Sequence, residues 1–166
     1  MLQPGPIQSN YNRYILVGQV GMLADEIHFD ADTRQVETST GIGFGLAVSQ
    51  GVNPDGCVIG GTAFCGVTRA DPTLPPSIST TADHYSQYDN AAVLVMGDIW
   101  VAPSGTGTIH PGDAVYYNTS TGALGFSGGT LIEDARWMTA LQTGRDAQGN
   151  TVNVAVVRLG NIAGNR

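Results

Sequence analysis

"MGDIWVAPSGTGTIHPGDAVYYN", residues 96–118, is the most informative local pattern in the chain. Its two flanks, "GDIWV" and "GDAVYYN", are dense in β-branched and aromatic residues, which pack well on a pleated, half-buried surface. Between them "SGTGTIHPG" supplies Gly, Ser, Thr and Pro, the residues of turns. The pattern predicts a hairpin of two strands with no catalytic side chain on it. "AAVLVMGDIWVAP" lengthens the first strand toward the N-terminus.

The same punctuation continues in both directions. Downstream, "TSTGALGF" adds a turn, and "DARWMTALQTG", which propensity alone would allow as a short helix, is read as a strand. "RDAQGN" then turns into "TVNVAVVRLG", where Val152, Val154 and Val156 line one face. Upstream, "YILVGQVGMLADE" and "IHFDADTRQVETS" are strand-like, with Ile27, Phe29 and Ala31 alternating against His28, Asp30 and Asp32. "GIGFGLAVSQG" leaves bare backbone at 41, 43 and 45, where another segment can sit. "GCVIGGTAFCGVTR" reads as a hairpin turning on Gly60-Gly61. Residues 70–90 hold three prolines and little apolar periodicity, which makes them one long loop, and loops of that length are usually functional or disordered.

Residues 1–13, "MLQPGPIQSNYNR", have no periodicity and are expected to form an extended Pro/Gly-rich N-terminal arm. The β domain then covers 14–160, and 161–166 is a C-terminal tail. Eight to ten short strands, with turns between and almost no helix, indicate an all-β fold, a single sandwich or barrel.

Composition narrows the function. The 166 residues suffice for one domain with its own core. With 42% hydrophobic residues and a mean hydropathy of −0.01 the chain reads as folded and soluble, and its longest apolar run, residues 91–96, is too short to span a bilayer. No secretory leader pattern is visible in residues 1–13. Fourteen acidic against seven basic residues give a net charge of −7, which repels nucleic acid. The chain has no lysine, so neither P-loop nor Schiff-base chemistry is available. Charged residues are only 13%, which suits a surface lying against other protein, with a polar uncharged surface rich in Ser, Thr and Asn as the plainer alternative.

Each candidate for chemistry has a plainer reading. "GFSGG", residues 125–129, matches a nucleophile elbow, but His28, His84 and His110 all precede Ser127 and no helix signal follows, so a glycine-rich turn is expected. The histidines lack partners at metal-ligand spacing. A regular strand over 25–32 would project Glu26, His28, Asp30 and Asp32 together as a weak site for a hard cation; a solvated face is the preferred reading. Cys57 and Cys65 fall out of register across a Gly60-Gly61 turn and are expected as reduced thiols. No cofactor is expected. Tyr and Arg anchor interfaces, and they recur in the irregular segments as Tyr11, Arg13, Tyr14, Arg69, Tyr85 and Tyr88. Packing over the barrel ends is the equally weighted alternative for them.

"VGQVGMLAD", "GIGFGLAVSQG", "GCVIGGTAFCGVTRAD", "YDNAAVLVMGDIWV", "GDAVYYN" and "VAVVRLGN", in that order, resemble the structural cement or decoration proteins of tailed-bacteriophage capsids, from about residue 14 to residue 160. The resemblance implies a jelly-roll-like or barrel-like, non-enzymatic viral structural protein. It implies a dimer or trimer on the outer surface of the virion's icosahedral capsid, made in the bacterial host cytoplasm and cementing major capsid protein subunits. The competing readings are a small β-sandwich module for carbohydrate or another surface ligand, which would need exposed aromatics, and a cryptic enzyme, which would need a pocket joining Ser127 to a histidine. Trp100 and Trp137 both fall in predicted strands, where core packing suits them better than sugar binding.

Overall fold

The structure is a computed structural model that describes residues 17–71 and 84–160. The arm at 1–13, the middle of the long loop and the tail at 161–166 lie outside the described residues. Strands follow one another as β1 (Asp30–Val36), β2 (Ile42–Gly43), β3 (Ala47–Gln50), β4 (Gly56–Ile59), β5 (Phe64–Thr68) and β6 (His84–Tyr85). Then come β7 (Asn90–Val101), β8 (Ala114–Tyr117), β9 (Leu124–Gly125), β10 (Thr130–Trp137), β11 (Gln142–Arg145) and β12 (Thr151–Leu159). No helix occurs among the described residues, and the all-β reading holds.

β7 organises the molecule. Its first half runs antiparallel to β1, from Asp30 opposite Met96 to Gln35 opposite Asn90. Pairing then passes from β1 to β4, β3, β5 and back to β7, which closes a five-stranded ring. A closed ring leaves no strand edge along its circumference for foreign pairing. The second half of β7, Gly97 to Val101, pairs with β12, and beyond β12 lie β10, β8 and β9. β11 also lies along β12. Residues 17–24 run between β11 and the second half of β7: Arg145 N donates to Gly18 O and Val20 N to Arg145 O, while Gly21 N reaches Trp100 O and Ala24 N reaches Asp98 O.

Two apolar clusters fill this frame. One gathers Leu94, Ile99, Ile109, Tyr117, Leu124 and Trp137; the other gathers Val36, Ile42, Phe44, Val48 and Tyr85. Each large side chain removed from water contributes roughly 1.5–3 kcal/mol, so this burial supplies the main driving force for closing the ring. In β12 the expected face, Val154 and Val156, is buried, but so are Ala155 and Val157 opposite. The strand runs between β7 and β10 and is covered on both faces.

Three local expectations are corrected. The 96–118 segment does form two strands, but they are not a hairpin, because β12 and β10 lie between β7 and β8. Gly60 and Gly61 adopt left-handed φ angles of 62° and 76°, yet β3 inserts between β4 and β5. Their amides are used elsewhere: Gly60 N donates to Ala47 O and Gly61 N to Thr119 O. Finally, the alternation read over 27–32 fails at its start, since β1 begins only at Asp30, and Ile27 and Phe29 are exposed rather than forming an apolar inner face. The bare backbone of "GIGFG" is used as expected: Val20 packs against Gly45, and His84 and Tyr85 against Gly41.

Candidate functional site

Nine large apolar side chains are exposed among the described residues, and four of them, Val17, Met22, Ile27 and Phe29, fall within thirteen consecutive positions. After Ala24 the chain leaves the edge of β7 and returns at Asp30, so residues 25–29 form an excursion from an otherwise continuous antiparallel ribbon. Asp25 Oδ1 accepts from Ile27 N at 2.8 Å, which bends the chain at the tip. Ile27 stands 81% exposed there. Gly97 of β7 provides the seat: its φ is 131°, and a Cβ at that position would lie 2.9 Å from Phe29 Cβ and 3.2 Å from His28 O. Only glycine permits this close approach. The Arg69 guanidinium sits 5.4 Å from the centre of the Phe29 ring, a cation–π contact that steadies a half-exposed aromatic.

A second display occupies the far end of β1. In the turn between β3 and β4, the Glu37 carboxylate accepts from Val52 N at 2.7 Å and Asn53 N at 2.8 Å. Gln50 Nε2 donates to Asn53 O at 2.6 Å and reaches Pro54 O and Gly56 O from the other side. Gly51 and Gly56 leave the space that the Glu37 carboxylate fills. The backbone amides of Asn53 and Val52 hold the Glu37 carboxyl below its ordinary value. This braced turn presents Val52, 95% exposed, to solvent. Next to it, Tyr88 N donates to Val36 O while the residue adopts φ 71°, and its side chain is 68% exposed. A non-glycine residue in that region of φ is uncommon.

The residues singled out from sequence divide accordingly. Arg69 and Tyr88 reach the surface, Arg69 beside Phe29. Tyr85, expected as an interface anchor, is fully buried. It pairs with Ile42, meets Phe44 edge-on at 5.3 Å and donates its hydroxyl to Arg69 O at 2.7 Å, and burial pushes its pKa up to about 12. A core position satisfied all its demands. Tyr11, Arg13 and Tyr14 lie outside the described residues.

Glu26, His28, Asp30 and Asp32 do not form a cation site: no metal-capable group of three or more His, Cys, Asp or Glu occurs among the described residues. Glu26 and His28 belong to the excursion rather than to the pleat, and Asp32 lies 3.7 Å from the Arg34 guanidinium. Residues 125–129 join β9 to β10, so Ser127 is not on a strand-to-helix turn. Both cysteines are free, on strands separated by β3. Trp137 is buried, and Trp100 is half-buried beneath Gly18, so neither indole is an open sugar platform.

Sequence reasoning passed over Asp98 and Arg158. They stand opposite each other on β7 and β12, joined by two bonds of 2.7 Å, Nε to Oδ1 and Nη2 to Oδ2. The signal was present, since each is the lone charge in an apolar strand. It also passed over Val52 and the exposure of Ile27.

A closed β domain with apolar side chains displayed on braced turns has the architecture of a structural domain. Residues 7–160 match the family described as "Structural cement protein (E217 gp24/Pam3 gp6)", and the chain belongs to this family of phage structural proteins. Among solved structures it is similar to a chain from "The capsid of Myoviridae Phage XM1", at a TM-score of 0.67 and 16% identity, over 93% of this chain and 98% of that one. That likeness supports the barrel-like fold. No curated protein matches in sequence.

Proposed function

We propose that the protein binds the outside of an icosahedral phage capsid, joins neighbouring major capsid protein subunits and catalyses no reaction. Membership of the cement family over residues 7–160 carries this reading. A packaged genome presses outward on the shell, and a domain touching two or more subunits adds contact area that must be broken before they part. Self-association as a dimer or trimer multiplies modest contacts through effective concentration. The braced display at Ile27 suits such a role, because a backbone already held in place loses little freedom on docking.

Co-sedimentation of the purified protein with expanded capsids that lack it tests the proposal. Saturation at a copy number commensurate with icosahedral symmetry is the expected result. Absence of saturable binding would refute it.

A further inference from the structure

We infer that the excursion at residues 25–29 is the element that enters the shell: Ile27 and Phe29 dock into an apolar hollow rimmed by Arg or Lys on a capsid subunit. The inference rests on the capsid-binding reading and names the surface that performs it.

Exposure and rigidity come first. Ile27 is 81% exposed, yet its backbone is held by the Asp25 carboxylate at 2.8 Å. Phe29 is 40% exposed, seated on Gly97 and covered in part by Arg69 at 5.4 Å. Met22, on the same run of chain, is 48% exposed. A fixed apolar tip gains from burial while giving up little conformational freedom.

Charge then selects the occupant. Asp25, Glu26 and Asp30 flank the two apolar residues in sequence, with His28 between them. Against them stands Arg69; Arg34 lies near Asp32, and Arg158, though within the field of Asp25, is paired with Asp98. The surface is therefore net acidic, on a chain of net charge −7. Two copies meeting here about a twofold axis would bring these carboxylates together, which disfavours a second copy. A basic rim satisfies them, and it accelerates docking in a salt-dependent way.

The test uses full-length protein and genome-free capsids lacking it, with binding measured by co-sedimentation at low and at physiological salt. Ile27→Ser is expected to weaken attachment about tenfold or more, the range of a central anchor, with an unchanged thermal midpoint because the side chain is solvent-exposed. Glu26→Lys is expected to weaken attachment and to reduce its salt dependence. Val52→Ser, at the other end of β1, serves as the comparison and should affect binding less. If wild type binds and both Ile27→Ser and Glu26→Lys bind equally well, the excursion is not the docking element, although the capsid reading survives. If wild type does not bind, both fall. If Ile27→Ser instead converts an oligomer to a monomer in sedimentation velocity, the occupant is a second copy and the inference is overturned.

Discussion

Arg158 and Asp98 show how a single charged pair is tolerated between two apolar strands. The Asp98 side chain is 11% exposed and both its carboxylate oxygens are met by the guanidinium fork at 2.7 Å. Those bonds also hold the Arg158 proton more tightly than usual. Removing the arginine leaves a buried carboxylate without its cation. Arg158→Ala should therefore lower unfolding stability by about 2 kcal/mol, read from the urea midpoint. Arg158→Lys should recover little, because one ammonium cannot reproduce the two-pronged geometry. Asp98→Ala should cost less, since the Arg158 side chain is 37% exposed and can turn to water. Equal midpoints for all four proteins would mean that the pair contributes nothing net to stability.

At the level of elements, the 51–55 turn depends on one ionised side chain. Glu37 is depressed below its ordinary value of 4.5 by the Asn53 and Val52 amides. A depressed carboxyl contributes stability that is fully present above 4.5 and is lost as pH falls through its lower folded value. Asp146, held down chiefly by the Asn150 side chain with help from amides of the 146–150 turn, acts in the same direction. The stability gap between wild type and Glu37→Gln should thus be full at neutral pH and close in acid; a gap that does not change with pH would assign the brace to shape rather than charge. This turn also shows what sequence made legible. Residues 51–56, "GVNPDG", carry turn residues around an apolar Val52, a local signal that sequence reasoning passed over. Strand existence and turn chemistry are local, so β7, β8 and β12 were readable, whereas residues 134–144, read as one strand, divide between the end of β10 and β11. Adjacency is not local: nothing within 96–118 reveals that strands from 130–159 will separate β7 from β8. Likewise Tyr85 reads as a loop tyrosine until a distant carbonyl, Arg69 O, satisfies its hydroxyl. Ile27 and Phe29 read as strand because the Gly97 seat under Phe29 is distant in sequence, although the Asp25 bend, two residues from Ile27, was a local signal that the alternation masked.

For the molecule as a whole, ring closure predicts how it opens. Cys57 sits on β4, paired with Val36 of β1 on one side and Gln50 of β3 on the other, and it is fully buried. Burial pushes its thiol up to about 11, so very little thiolate exists at pH 8 even before access is considered. Cys65 on β5 is also raised by burial but remains partly exposed. In an open sheet an edge strand can fray independently; in a closed ring, exposing β4 breaks pairings on both sides, and the Val36 and Tyr85 cluster opens with it. Alkylation at pH 8 should therefore modify Cys65 first, while Cys57 reacts at a rate that climbs with urea in parallel with global unfolding. A Cys57 rate independent of urea would instead reveal local opening of β4. In that case the ring would be closed in geometry but not cooperative.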